Sequence, residues 1–124
     1  MIYKTKFLYR EENVQESLFI DVDGQILNVF SNDYYYGFVP HGEYRVELEF
    51  NIFDEYQVGE SSLPPQVRKL DHSFAYEIVG VLENGNLSVG NFSIYDEILL
   101  RDYGYLEGKN IIFKVDRIDM SIDW

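Results

Sequence analysis

Tyr44-Arg45-Val46-Glu47-Leu48-Glu49-Phe50-Asn51-Ile52 alternates without exception, apolar at every even position and polar at every odd one. A period of two sustained over such a run marks a strand buried on one face, because successive side chains of extended backbone point to opposite sides. Tyr44, Val46, Leu48, Phe50 and Ile52 are therefore expected to face a core, and Arg45, Glu47, Glu49 and Asn51 to face solvent or a partner. Phe53 breaks the alternation, so a bulge or bend is expected after Ile52.

On either side of this strand the chain carries two hairpin signals, Asp23-Gly24 and Asn84-Gly85. Type I′ turns need positive φ at both central residues, which Asp-Gly and Asn-Gly tolerate best. A two-residue loop at Asp23-Gly24 sets Val22 opposite Gln25, Ile20 opposite Leu27 and Leu18 opposite Val29, which collects Leu18, Ile20, Val22, Leu27 and Val29 on one face. The same construction at Asn84-Gly85 sets Leu82 opposite Leu87 and Gly80 opposite Val89, where a bend or close approach is expected. The run from Met1 to Arg10 reads as a strand, and Asn91 to Tyr95 as a short one. Near the C-terminus Ile111, Phe113 and Val115 alternate, and the apolar set then moves to Ile118, Met120, Ile122 and Trp124. That change of parity at Asp116-Arg117 predicts a bulge.

About seven strands follow from this pattern. Two segments read as short helices. Ser61 to Leu70 offers hydroxyl caps, two prolines compatible with a first turn and cations in the last turn. Asp96 to Asp102 fits another short helix, with Ser93 or Asp96 near its start, but Ile98-Leu99-Leu100 fits a strand as well. One Ala in the whole chain, Ala75, beside plentiful Tyr, Phe, Ile and Val, also favours sheet over long helices.

The expected fold is mainly β, a curled antiparallel sheet or small barrel with one or two short helices, in one domain spanning 1–124. Strands, a short helix between Tyr44–Ile52 and Phe74–Leu82, a hairpin and a final strand resemble an OB-type barrel over residues 18 to 120, preceded by an N-terminal extension. OB-type barrels often bind oligonucleotides by combining a basic groove with stacked aromatics. The chain has the aromatics and lacks the basic groove.

Charge bounds the partners. With 22 Asp and Glu against 10 Lys and Arg, the net charge is −12, carried beside 11 Tyr and 9 Phe. Such a domain repels nucleic-acid backbones and anionic membranes and attracts basic surfaces. A hydrophobic content of 46% sets it apart from disordered acidic chains. The absence of Cys excludes disulfides, thiolate zinc sites and cysteine nucleophiles. With no signal-peptide core and no long uncharged apolar stretch, a cytoplasmic address is expected. The richness in Asn, Ile, Lys, Tyr and Phe points to an AT-rich bacterial or phage genome.

No constellation meets the geometric demands of catalysis. Asp71-His72-Ser73 holds the residue types of a hydrolase triad, but three consecutive residues cannot converge. His41 lies in a turn-like Pro-His-Gly. Asp21-Val22-Asp23-Gly24 starts like a calcium loop, yet its Gly stands at the fourth position and Asn32 at the twelfth, so a hairpin turn explains it better. Carboxylate pairs such as Glu47 with Glu49, Asp54 with Glu55, or Asp96 with Glu97 are expected by chance among so many acids. Neither enzyme, metal nor cofactor is expected.

What remains points to protein binding. The segment from Asp33 to Tyr44 concentrates aromatics, which either plug one end of a barrel or continue a strand, or, with Tyr34, Tyr35, Tyr36 and Phe38 as the candidate anchors, bind a partner, since aromatic loops give large contact area at low rotamer cost. Glu47 and Glu49 are the candidate steering charges for a basic partner. In size, acidity and lack of a catalytic set, the chain is similar to bacterial immunity or antitoxin-type inhibitors, and that resemblance implies a basic toxin or nuclease as the partner. The alternatives are a barrel that holds a small ligand among its core aromatics, which needs an internal cavity of roughly 300 Å³, and an OB-type nucleic-acid-associated protein, disfavoured by the charge.

Overall fold

A computed structural model describes residues 1–31, 37–71 and 73–122. Among these described residues, eleven strands and one short helix follow in the order β1 (Ile2–Arg10), β2 (Ser17–Val22), β3 (Gln25–Phe30), β4 (Glu43–Asn51), β5 (Val58–Glu60), β6 (Gln66–Lys69), β7 (Tyr76–Glu83), β8 (Asn86–Val89), β9 (Phe92–Tyr95), α1 (Glu97–Asp102), β10 (Asn110–Val115) and β11 (Arg117–Ile122), with a 3₁₀ turn at Gly104–Leu106. The fold is mainly β, as the alternation predicts. Five strands close a barrel in the order β1-β2-β3-β11-β4, and the other six form a second sheet, β5-β10-β7-β8-β9 with β6 also on β7. All barrel pairs are antiparallel except β3 with β11, joined in parallel at Phe30 and Asp119.

The two type I′ hairpins form as their sequences require. Val22 pairs with Gln25, Ile20 with Leu27 and Leu18 with Val29, and Asp23 and Gly24 take φ of 50° and 89°. Leu82 pairs with Leu87 across Asn84-Gly85, which take φ of 51° and 80°. Gly80 lies where one edge of β7 passes from β6, which pairs with residues up to Val79, to β8, which pairs from Val81. A Cβ there would fall 2.2 Å from the Ser88 carbonyl oxygen and 3.1 Å from Val89, so only glycine lets the strands approach this closely.

Barrel closure corrects the OB mapping over residues 18 to 120. The N-terminal run is the first barrel strand: Tyr3, Thr5 and Phe7 face inward, β1 pairs with both β2 and β4, and a bulge falls between Phe7 and Tyr9. The Asn84-Gly85 hairpin belongs to the second sheet, inserted between β4 and β11. The parity change at Asp116 is a hand-over: a bend there separates β10 of the second sheet from β11 of the barrel. Counting the barrel strands alone, the order first-second-third-fifth-fourth remains similar to an OB-type barrel.

The expected helix at Ser61–Leu70 is not formed. Pro65 holds Pro64 extended and both prolines lack the N–H a helix would use, while β7 offers a free edge that Gln66–Lys69 takes, pairing Val67 with Ile78. The Ser61 hydroxyl accepts from the Leu63 N–H in a local turn instead of a helix cap. At Asp96–Asp102 the helix does form, with the Asp96 carboxylate accepting from the Leu99 N–H as an N-cap.

One cluster of buried side chains runs through both sheets. Leu18, Ile20, Val22, Leu27, Val29, Val46, Leu48 and Ile118 fill the barrel, and Ile78, Leu82, Leu87, Ile94, Ile111 and Phe113 back the second sheet. Phe92 of β9 joins them, its ring 5.8 Å from Tyr3 and 6.2 Å from Phe50. The seam is sealed by Tyr76 of β7, whose hydroxyl accepts the Asn28 N–H of β3 at 2.6 Å.

Candidate functional site

The outer face of β4 is the solvent side of the motif that identified the strand. β4 lies between β1 and β11, so its odd-numbered side chains line up with theirs. Charge is segregated along this face. At one end Lys4 stands opposite Arg45 and pairs with Glu43 at 3.0 Å. At the other, Glu49 stands directly opposite Asp119, and Glu47 is flanked by Ile2 of β1 and Ser121 of β11. Glu47 and Glu49 are exposed and make no ion pair among the described residues. Asp119 is gripped by Arg117, Nε to Oδ1 at 2.5 Å and a second nitrogen to Oδ2 at 3.0 Å; this hydrogen bond raises the guanidinium pKa. Glu49 thus stands across from an ion pair, Asp119 with Arg117, whose cation is already engaged, and is itself left without a cation among the described residues.

Arg117 also begins a second feature that sequence periodicity does not reveal. Its guanidinium lies 4.1 Å from the Phe30 ring centroid and 5.2 Å from that of Phe53, and Phe53 is 61% exposed. Phe30 meets Phe74 edge-on at 5.6 Å. The Lys69 ammonium lies 6.0 Å from Phe74 and 5.4 Å from Phe19, and Phe19 stacks on Tyr9 at 4.6 Å. A ribbon of five rings and two cations therefore crosses the seam between barrel and second sheet. Its members come from separate segments, so no local pattern announces them. At its far end Tyr9, Arg10, Glu11, Glu12, Phe19 and Lys69 line an open depression of about 590 Å³. Lys69 donates to the buried Asn28 Oδ1, the Asn28 amide donates to Ser17 Oγ, and Ser17 donates to Glu11. Desolvation holds the Lys69 pKa below its ordinary value, partly offset by the nearby Glu11 carboxylate.

Of the aromatic anchor candidates, Tyr34, Tyr35 and Tyr36 lie outside the described residues. Phe38 is half-buried, stacked on Phe7 at 5.1 Å and edge-on to Tyr44 at 4.9 Å. The structure thus places it at one end of the barrel, apart from Glu47 and Glu49, and Val39 beside it is exposed.

Two carboxylates elsewhere have structural work. Asp21 Oδ1 accepts the Gly24 N–H inside the hairpin turn. Asp96 caps α1 and accepts the Tyr56 hydroxyl at 3.0 Å. Among the described residues no group of three or more His, Asp or Glu could hold a metal ion, and no helix is long and apolar enough to cross a membrane. His41 occupies a turn at φ 65°; His72 lies outside the described residues.

A model of the family described as uncharacterised conserved protein UCP019853 matches residues 1–123. No curated protein and no solved structure matches the chain.

Proposed function

The chain belongs to that family, and for it we propose a non-enzymatic protein-binding role, in which the acidic end of the β4 face receives a basic protein. The observation that carries this reading is the placement of Glu49 opposite Asp119 with Glu47 alongside. Arg117 already neutralises Asp119, so Glu47 and Glu49 are the carboxylates of this row left for a basic partner to neutralise and be steered to. The net charge of −12 extends the attraction beyond contact range. Within this class the reading extends to an immunity- or inhibitor-type protein that covers a basic toxin or nuclease, supported by size and charge. A cytoplasmic address belongs to the same proposal.

The test is calorimetry and stopped-flow association against a panel of basic toxin and nuclease domains at low ionic strength, beginning with the product of the neighbouring gene. A binder is expected whose association slows steeply with added salt. Glu47→Gln with Glu49→Gln should slow association further, while Glu49→Gln alone, an exposed position, leaves folding stability within about 0.5 kcal/mol. A panel with no binder at low ionic strength overturns the reading.

The aromatic ribbon favours a second reading, an OB-type contact with single-stranded nucleic acid, since bases stack on rings flanked by cations. Against it, Lys69 and Arg117 are engaged by Asn28 and Asp119. Fluorescence titration with oligothymidine distinguishes the two: binding lost with salt and with Tyr9→Ala supports the ribbon, and no binding at low salt removes it.

A further inference from the structure

Four half-exposed apolar side chains lead from the acidic end of β4, through the start of β1, to β9 and α1. Ile2 of β1 is the cross-strand partner of Glu47. Next to it, Met1 Sδ accepts the Tyr95 N–H of β9 at 3.2 Å. Tyr95 and Leu100 close over Gly85, where a Cβ would lie 2.9 Å from the Tyr95 ring and 2.9 Å from Leu100 Cβ. Met1, Ile2, Tyr95 and Leu100 are 47%, 44%, 45% and 43% exposed, so each holds one side in the protein and offers the other to solvent. The rim is acidic. Glu47 borders Ile2, Glu83 shares the cross-strand row of Asn86 and Tyr95, and Glu97 lies one helical turn before Leu100. Arg101, the cation on α1, is engaged by Asp102 at 3.6 Å.

We propose that Met1, Ile2, Tyr95 and Leu100 form the apolar anchor of the binding surface whose steering half is Glu47 and Glu49, and that its occupant is a basic polypeptide segment carrying apolar side chains among its cations. The inference rests on the acidic-face reading and adds what the charges lack. Rim charges govern encounter, whereas residence depends on a desolvated apolar centre. The same acids select among occupants: a second copy of a chain carrying −12 would meet its own charge, and an anionic lipid surface would be repelled.

Two short peptides of equal positive charge separate the possibilities, one with leucine and tryptophan between its lysines and one with serine in their place. Binding is followed by fluorescence anisotropy at rising salt, with amide chemical-shift perturbation to locate it. The wild-type protein should bind the apolar peptide about tenfold or more tightly than the serine peptide, as expected for burying a few large side chains. Both affinities should fall with salt. In the Tyr95→Ser/Leu100→Ser double variant, which alters only half-exposed positions, the preference should vanish while weak, salt-sensitive binding of both peptides persists. Equal binding of the two peptides by the wild-type protein, or a preference that survives in the double variant, overturns the anchor and leaves the acidic face standing. If neither peptide binds at low ionic strength, both readings fall. A wild-type dimer in sedimentation that Leu100→Ser dissociates would assign the patch to a second copy and overturn the basic occupant.

Discussion

Gly80 shows how tightly a single residue can be fixed. Its sequence position opposite Val89 already marks a conflict, and the structure gives the cause: the Ser88 carbonyl oxygen occupies the space a Cβ would need. That neighbour is backbone within a paired strand, so it cannot swing aside as a side-chain tip could. Gly80→Ala is expected to destabilise the protein by about 1–3 kcal/mol, the usual cost of overpacking, seen as a lower urea midpoint at unchanged slope. Gly59→Ala is the matched control. Nothing lies within 4 Å of its Cβ position, so the change should stay within about 0.5 kcal/mol. Equal midpoints for the two variants would show that β7 and β8 do not approach as closely as described. Glu49 is the opposite case: its alternation is plain in the sequence, but its meaning depends on Asp119, and which strand would lie beside β4 is not written locally.

Elements were legible where the chain closes on itself over a short loop. The hairpin at Asp23-Gly24 has a register set by two residues with positive φ, so its core face, Leu18 to Val29, could be read directly. Legibility failed where distant segments decide. Residues 61 to 70 carry capping hydroxyls, prolines and cations that suit a helix start and end, yet the free edge of β7 and the apolar shelf under Val67 draw them into a strand. Residues 110 to 122 read as one bulged strand because periodicity records a change of face and not a change of sheet. The seam between the sheets was equally hidden, and it offers a test at this scale. β3 and β11 share one bridge, at Phe30 and Asp119, and the nearby Asn28 N–H is satisfied by the Tyr76 hydroxyl. Tyr76→Phe keeps the ring and orphans that buried donor, so a loss of about 1–3 kcal/mol is expected. Hydrogen exchange should quicken at Asn28 more than along the β2–β3 ladder. Unchanged Asn28 protection would mean that the barrel is sealed there by something other than Tyr76.

At the scale of the whole molecule, the acidic charge and the aromatic content act in different places but meet in the response to alkali. Among the described residues, six ion pairs engage Lys4, Arg68, Arg101, Lys109, Lys114 and Arg117, mostly at the surface where each contributes little, so the excess of carboxylates is carried by the fold as self-repulsion. Burial raises the phenol pKa of Tyr3, Tyr56 and Tyr76, with Asp23 adding to the shift at Tyr3 and Asp96 at Tyr56. Each of these groups keeps its proton in the folded protein at a pH where the unfolded chain, with an ordinary tyrosine pKa of about 10, has lost it. The unfolded state then binds fewer protons, so the stabilisation present below about pH 10 is lost as pH rises through the folded pKa values. Lys69 works in the other direction, because its depressed folded pKa makes stability rise with pH up to the unfolded lysine value near 10.4. One lysine opposes three tyrosines, and its window closes near pH 10.4, just after theirs opens; above it the cations also discharge and deepen the net negative charge. Stability should therefore decline beyond about pH 10. Absorbance at the phenolate band should show a late group ionising together with the loss of the β-sheet circular dichroism signal. A single ionisation step with the sheet intact would mean that Tyr3, Tyr56 and Tyr76 reach solvent without unfolding, and that the aromatic core and the acidic surface are not coupled through these three phenols.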